Sequence, residues 1–156
     1  MKSFIYLREL TKGDLKSLVK FRNKKSIWEF IRPKNKSFNT SLKDEKKWFA
    51  KVNKKNRLNL AIIYNQEYVG NIYFTNIKKS SAEFHIFIGK KSLWGKSIGY
   101  RATCIAISIF KNNYNAKKIY LYVTYNNIRA IELYKKCNFS IEKKLNDKYL
   151  MIKNLT

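Results

Sequence analysis

Residues 84–100 read FHIFIGKKSLWGKSIGY, and this stretch decides the fold class. An apolar, strand-like run ends in a turn of Gly, Ser and Lys, and an apolar helix follows directly. The first backbone N–H groups of a helix have no acceptor within the helix and lie at the positive end of its dipole. A small-residue turn at this place can wrap a pyrophosphate, so the stretch indicates a phosphate-bearing cofactor. The alternative is a purely structural glycine turn.

Residues 125–139 read YNNIRAIELYKKCNF and form the second part of the pattern. A polar start precedes a helix with apolar residues at helical spacing, and the helix closes on small, polar and aromatic residues. The first stretch fits the spacing (Gln/Arg)-x-x-Gly-x-(Gly/Ala), and the second fits Asn-x-x-Ala-x-x-x-Tyr. The residues at these positions are Trp94, Ser97 and Gly99 in the first stretch, and Asn127, Ala130 and Tyr134 in the second.

Together the two stretches resemble the GNAT superfamily of acetyl-CoA-dependent N-acetyltransferases, and the resemblance covers nearly the whole chain. Within it the chain is similar to the sugar-nucleotide and ribosomal-protein N-acetyltransferase branches. The resemblance implies an α/β (α+β) fold with a mixed, mostly antiparallel sheet of about seven strands flanked by helices. A splayed strand pair would hold the cofactor, acetyl-CoA. We expect residues 1–156 to form a single domain.

Two glycine positions of the family pattern hold other residues in this chain. Ser97 stands where the family usually has glycine, and Asn138 stands where a Gly-Phe ending has its glycine. Serine still offers a backbone N–H and a hydroxyl to a phosphate. Asparagine is the non-glycine residue that best tolerates a left-handed backbone at a helix end.

The chain has a formal net charge of +24, with 34 Lys and Arg against 10 Asp and Glu. Such a charge favours anionic partners and disfavours a cationic polyamine, because few carboxylates are available to build an acidic cleft. Lysine and asparagine are abundant throughout, however, as an AT-rich genome would also produce. The two cysteines, Cys104 and Cys137, lie in helical segments without metal-ligand spacing, so we expect neither a disulfide framework nor a metal site. With no recognisable signal or membrane-spanning stretch, a cytoplasmic location is expected.

Hydrophobic periodicity predicts the order of elements along the chain. Ser41 is a predicted helix N-cap, with Asp44 in a capping-box position. The predicted strands are 5–9, 58–64, 68–76, 81–88, 118–123, 140–144 and 148–154. The predicted helices are 12–22, 27–31, one that follows Ser41, 98–110 and 127–137, and residues 34–38 form a predicted loop.

The resemblance assigns the cofactor contacts to both stretches. The pantetheine arm would pair with the strand that ends at Ile88, and the phosphates would meet the turn and the start of the next helix. The implied cofactor residues are Phe87, Ile88, Trp94, Gly95, Lys96, Ser97, Ile98, Gly99, Tyr100, Arg101 and Asn127. The structural alternatives are that Trp94 caps the core and that Asn127 caps its own helix.

Acetyl transfer to a primary amine needs a proton acceptor, a backbone donor for the oxyanion and an acid for the leaving sulfur. Tyr134 matches the family position of the acid, the alternative being an interior aromatic. For the base, Glu83 and His85 are candidates because residues two apart on a strand share one face, where Phe87 joins them. A water chain without an essential side-chain base is the third option.

The acceptor side is expected in the first half of the chain. Arg22 can bind a nucleotide diphosphate bidentately, and Trp28 can stack on a base or a sugar; Asn23 lies beside them in sequence. The resemblance implies the 4-amino group of a nucleotide-linked amino sugar, as in surface glycan pathways. The structural alternatives are an ion pair of Arg22 with Asp14 or Glu29 and a core position for Trp28.

Three other functions fit parts of the sequence. The acceptor could instead be a protein N-terminus or peptide amine, or an amine antibiotic. A basic nucleic-acid-binding protein would also explain the charge and the 24 aromatic residues, but no recognisable RNA-binding motif supports it, and we expect no specific nucleic-acid partner. The aromatic residues also permit a homodimer.

Overall fold

The computed structural model describes residues 2–28, 38–52 and 55–156. The strands are β1 (Ile5–Glu9), β2 (Leu58–Tyr64), β3 (Glu67–Thr75), β4 (Ser81–Ile88), β5 (Lys118–Thr124), β6 (Ser140–Lys144) and β7 (Lys148–Asn154). The helices are α1 (Leu15–Arg22), α2 (Lys25–Trp28), α3 (Leu42–Val52), α4 (Ile98–Asn113) and α5 (Ile128–Lys136), with short 3₁₀ turns at Lys12–Asp14 and Lys91–Leu93. The predicted loop at 34–38 and the end of the predicted helix 27–31 lie largely outside the described residues.

All seven strands form one sheet in the order β1-β2-β3-β4-β5-β7-β6. Every neighbouring pair is antiparallel except β4 and β5, which are parallel because α4 crosses over between them. This arrangement confirms the predicted fold class, a mixed and mostly antiparallel sheet flanked by helices.

The parallel pair β4–β5 separates soon after it begins. Its register covers Ser81 with Lys118, Ala82 with Ile119, and Glu83 with Tyr120. The remaining five residues of β4 keep their pairing with β3 but have none with β5. The sheet therefore opens into a fork on the carboxyl side of Glu83, as the resemblance implied.

Helices cover the two faces of the sheet with separate apolar clusters. On one face, α4 and α5 pack over Phe74 and Phe84 of the sheet, which are almost fully buried together with Phe110 of α4. On the other face, α1 to α3 contribute to a cluster that includes Phe21 and Phe87. Side chains of β4 alternate between the clusters because successive strand residues point to opposite faces.

Local sequence signals account for several element ends. The Asp44 N–H donates to the Ser41 hydroxyl at 3.1 Å, and the Ser41 N–H donates to an Asp44 carboxylate oxygen at 2.9 Å, which confirms the predicted capping box. Asn65 and Gln66 have φ of 48° and 68°, the backbone that a tight two-residue hairpin requires. Asn138 takes φ of 63°, confirming that it replaces glycine in left-handed geometry.

The first predicted helix differs at its start, because α1 begins at Leu15 after a 3₁₀ turn. The buried Asp14 carboxylate accepts from the Thr11 N–H at 2.8 Å and forms an ion pair with Arg8 at 2.7 Å. A side chain held in this way fixes the turn that precedes α1.

Candidate active site

The turn before α4 has the geometry of an anion cradle. The first hydrogen bond at this end of α4 runs from the Arg101 N–H to the Ser97 carbonyl at 3.0 Å. The N–H groups of Ile98, Gly99 and Tyr100 therefore have no acceptor within the helix, and they lie at the positive end of its 16 residues. These three groups can receive phosphate oxygens.

Left-handed residues shape this cradle. Ser97 has φ of 59° and Gly95 has φ of 77°, and no atom lies within 4 Å of the place where a Cβ on Gly95 would be. A Cβ on Gly99, by contrast, would lie 2.7 Å from Leu133 of α5. Gly99 thus lets α4 and α5 approach each other beside the cradle.

A cavity of about 530 Å³ extends from the cradle along β4 to α5. This size is typical of small-molecule sites. Its lining includes nine of the predicted cofactor residues together with the predicted acid. These are Phe87, Ile88, Trp94, Gly95, Ser97, Ile98, Gly99, Tyr100, Asn127 and Tyr134.

Two predicted cofactor residues do not line the cavity. Lys96 is an exposed residue of the turn. The Arg101 guanidinium donates to the Ser3 hydroxyl at 3.0 Å and to the Ser3 carbonyl at 3.1 Å, so it ties α4 to the N-terminal segment. Their predicted role in cofactor binding stays a prediction.

Trp94 and Asn127 line the cavity and also have structural roles. The Trp94 indole N–H donates to the Ile88 carbonyl at 3.1 Å, which fixes the turn against β4. The Asn127 side chain accepts from the Ala130 N–H at 3.4 Å, so it caps α5. Arg129, whose guanidinium carbon lies 5.2 Å from the Trp94 ring centroid, was not predicted as a site residue. The sequence feature that could have identified Arg129 is its position in the first turn of the second motif helix.

Tyr134 lies at the inner end of the cavity, between α5 and the fork. Its ring makes edge contacts with Phe84, at a centroid distance of 6.3 Å, and with Phe139, at 5.7 Å. Burial raises the pKa of the Tyr134 phenol. The phenol is therefore protonated at neutral pH, and its raised pKa makes it a weaker acid than an exposed tyrosine.

Glu83 and His85 form a polar cluster on the opposite face of β4. His85 Nε2 lies 3.5 Å from a Glu83 carboxylate oxygen and 3.0 Å from the Thr75 hydroxyl. The Asn76 amide donates to the other Glu83 oxygen at 2.9 Å. Burial lowers the pKa of His85, whereas the Glu83 carboxylate acts in the opposite direction. A largely neutral imidazole beside a carboxylate can accept a proton.

The base candidates and the acid candidate therefore lie on the two faces of the fork. Glu83 and His85 face the side of α1 to α3, as Phe87 does, and Tyr134 faces the side of α4 and α5. Neither Glu83 nor His85 is among the described residues that line the cavity. Phe87, which belongs to the apolar cluster of the α1 to α3 face, and Ile27 of α2 also line the cavity.

The three predicted acceptor residues all have partners within the chain. Arg22 forms an ion pair with the buried Glu45 at 2.6 Å, a partner that the sequence did not indicate. The Asn23 side chain donates to and accepts from the Thr40 backbone, both at 2.8 Å. The Trp28 indole N–H donates to the Phe21 carbonyl at 2.8 Å, and its ring packs on Phe87 at 5.0 Å. Substrate binding by these residues stays a prediction.

The residues of the cradle and cavity fit acetyl-CoA. The α4 N-terminus offers unpaired N–H groups for a pyrophosphate, and the apolar cavity beside it leads to the fork. Within the described ranges, no group of three or more His, Cys, Asp or Glu residues is placed to hold a metal ion. In the same part of the chain, no helix combines the length and apolar character needed to span a membrane.

The forked sheet, cradle and cavity define a coenzyme A-dependent acyltransferase domain. The chain belongs to the acetyltransferase (GNAT) domain family, which matches residues 5–140. Acetyl-CoA is accordingly its cofactor, and N-acetyl transfer is its class of reaction.

A curated relative is the uncharacterized protein MJ1062 of Methanocaldococcus jannaschii, to which the chain is 28% identical over 146 residues. The match covers 91% of this chain and 29% of that protein. The chain thus spans less than a third of the length of its relative.

Solved structures share the whole fold. A domain from Methanocaldococcus jannaschii DSM 2661 superposes with a TM-score of 0.84 at 27% identity, covering 99% of this chain and 100% of that one. A spermidine N-acetyltransferase from Vibrio cholerae, in complex with CoA and spermine, has a TM-score of 0.84 at 23% identity, covering 96% and 95%. The aminoglycoside acetyltransferase AAC(6')-Ib, in complex with coenzyme A, has 0.83 at 18%, covering 97% and 95%.

Proposed function

We propose that this chain transfers the acetyl group of acetyl-CoA to the 4-amino group of a nucleotide-linked amino sugar, in a step of surface glycan synthesis. Both substrates are bound together, and the amine attacks directly. The observation that carries the proposal is the fork itself. It opens one residue beyond Glu83 and has proton acceptors on one face and a buried phenol on the other.

Acetyl-CoA supplies the acetyl group as an activated thioester. The N–H groups at the start of α4 hold its phosphates, and the edge of β4 beyond Glu83 offers backbone groups to its pantetheine arm. Phe87 and Ile88 line the cavity between the start of α4 and the open edge of β4. This arrangement directs the reactive end of the cofactor toward Tyr134.

The amine reaches the fork as a neutral free base, so the Glu83–His85 cluster has to accept only the one proton that the nitrogen loses on acylation. The cluster takes up one proton as the new C–N bond forms, and the Tyr134 phenol gives one proton to the sulfur as the C–S bond breaks. The number of protons is therefore conserved. The cluster and Tyr134 then return to their starting protonation states by exchange with solvent. Because Glu83 and His85 are in contact, they act as one proton-accepting unit.

Charge on the acceptor face supports an anionic acceptor. Arg22 and Arg57 both lie close to Trp48, with guanidinium carbons 4.8 and 5.6 Å from its ring centroid. The buried carboxylate there, that of Glu45, is in an ion pair with Arg22. These positive charges favour a phosphate-bearing amine over the polyamine of the Vibrio cholerae neighbour.

The test is acetyl-CoA-dependent thiol release with four parallel acceptors, each product being identified by its mass. The acceptors are a UDP-4-amino sugar, spermidine, a peptide with a free N-terminus and an aminoglycoside. Selective acetylation of the UDP-amino sugar supports the proposal. Preferential acetylation of any other acceptor, at equal concentration and pH, contradicts the proposed substrate and leaves the cofactor and fold unchanged.

A further inference from the structure

Arg57 is a half-buried cation whose charge has no carboxylate partner among residues 2–28, 38–52 and 55–156. Its Nε donates to the neutral Asn59 side chain at 3.0 Å. Burial lowers the pKa of its guanidinium, and the nearby Arg22 lowers it further. A charge kept out of water without a counter-ion is costly, unless a ligand supplies the missing anion.

Aromatic rings hold the Arg57 guanidinium in a fixed place. Its central carbon lies 5.6 Å from the centroid of Trp48 and 5.3 Å from that of Tyr73. Cation–π contact with the two rings positions the guanidinium, and among the described residues its two Nη groups have no hydrogen-bond acceptor, so both can donate to a ligand. Such an orientation is the one that phosphate recognition needs.

Arg57 is also linked in space to the candidate base. Tyr73 and His85 are directly opposite in the register of β3 and β4, so their side chains lie on the same face of the sheet. The positive charge of Arg57 contributes to the lowered pKa of His85, after burial, the larger cause. Arg57 and His85 therefore border one acceptor site.

We propose that Arg57 is the anion-binding residue of the acceptor site, holding the diphosphate of a nucleoside-diphosphate-linked substrate while the amine lies at Glu83 and His85. This inference rests on the proposed function, because it assumes that the acceptor enters on the face of α1 to α3. It moves the role of diphosphate ligand, predicted for Arg22, to Arg57. The reason is that Glu45 neutralises Arg22, whereas Arg57 keeps its full charge for a ligand.

The experiment measures binding of UDP by calorimetry to protein saturated with CoA, so that the cradle at α4 is already occupied. Arg57→Met keeps an apolar unbranched stem but removes the charged guanidinium, and Arg57→Lys keeps the charge but not the fork. We expect the Kd of UDP to rise at least roughly tenfold in Arg57→Met and by a smaller factor in Arg57→Lys. Lys55→Met removes one exposed charge nearby and leaves the Kd within about twofold.

Two readouts separate this inference from the proposed function. Stabilisation by acetyl-CoA in every variant shows that each is folded and binds cofactor. If UDP does not bind the wild-type complex, or binds Arg57→Met as tightly as wild type, the role of Arg57 is overturned, even where the UDP-amino sugar is acetylated. If UDP binding depends on Arg57 but a different phosphorylated amine is acetylated, the anion site stands and the proposed sugar substrate fails.

Discussion

Glu83 of β4 faces Tyr120 of β5 in the last register pair before the two parallel strands separate. The position of this pair sets where the sheet opens. His85 follows two residues later on the same face, so the Glu83–His85 cluster, the proposed proton acceptor, lies at the mouth of the fork. Tyr134 meets the fork from the opposite face through its contact with Phe84. The chemistry thus depends on a sheet in which pairing stops at a defined residue.

Removing the Tyr134 hydroxyl tests the acid. We expect Tyr134→Phe to lower kcat about 100-fold, because the leaving sulfur loses its proton donor. The Kd of acetyl-CoA should stay unchanged, since the ring contacts with Phe84 and Phe139 remain. Steady-state kinetics and calorimetry measure the two quantities. Tyr114→Phe removes a phenol at the far end of α4 and serves as the control. Full turnover by Tyr134→Phe at every pH would exclude Tyr134 as the acid.

The Glu83–His85 contact predicts non-additive kinetics. Each of Glu83→Gln and His85→Gln should lower kcat/KM roughly 10- to 100-fold, and the double variant should lose much less than the product of the two. Groups that accept one proton as a unit cannot be removed twice. If both single variants keep wild-type kcat/KM, a water chain is the proton acceptor instead.

The pH dependence follows from the environment of His85. Burial holds the pKa of His85 below its ordinary value of 6.5. The rate should therefore rise as the pH increases through a value below 6.5, where the imidazole loses its proton and becomes a base. A pH profile of kcat/KM in wild type and His85→Gln measures this limb. An identical limb in both proteins would assign it to another group.

Local sequence patterns predicted the strands, but they did not predict contacts between residues far apart in the chain. Alternating apolar residues and turn residues such as Asn65 predict β2 and β4 with their observed bounds. The ion pair of Arg22 with Glu45 was not predictable, because it joins α1 to α3 across a separation that periodicity does not encode. The same holds for Arg57, whose importance arises only when Trp48 and Tyr73 meet around it.

The candidate site was predictable where a motif fixes backbone geometry. The turn at Gly95 and Ser97 has the left-handed backbone that a glycine-rich pattern requires. Side chains that only bordered a motif were less predictable: Arg101 lies away from the cavity, bound to Ser3, while Arg129 stacks on Trp94. Spacing along a helix does not determine which of two cations turns toward a cleft.

Strain at Ser97 yields a prediction for cofactor binding. Ser97→Gly should change the free energy of unfolding by less than about 1 kcal/mol, because relief of the left-handed backbone offsets the added freedom of the unfolded chain. Ser97→Val should cost roughly 1–3 kcal/mol and weaken acetyl-CoA binding, since a β-branched residue resists positive φ. Ser108→Val, on an exposed position of α4, is the matched control. Equal affinity for acetyl-CoA in the two valine variants would show that the cradle does not need this backbone.

The Arg8–Asp14 pair gives a stability prediction with a definite pH sign. Burial raises the pKa of Asp14, but the Arg8 guanidinium and the Thr11 groups together outweigh it and hold the pKa below 3.8. The ion pair therefore stabilises the folded state fully above pH 3.8. This stabilisation is lost as the pH falls through the lower pKa that Asp14 has in the folded protein. Asp14→Asn should therefore lower the free energy of unfolding at pH 7 by roughly 1–2 kcal/mol, since Arg8 is 38% exposed and regains water, and the difference should shrink in acid. Urea denaturation at several pH values measures this, and a difference independent of pH would contradict the ion-pair explanation.

Initial rates at crossed concentrations of acetyl-CoA and a UDP-4-amino sugar test the central claim most directly. Because the proposed mechanism needs both substrates bound at once, with an acid and a base on the two faces of the fork, we predict intersecting reciprocal plots and one acetylated sugar nucleotide per thiol released. Parallel plots, or thiol release without acetylated sugar nucleotide, would contradict direct transfer at the fork to this acceptor.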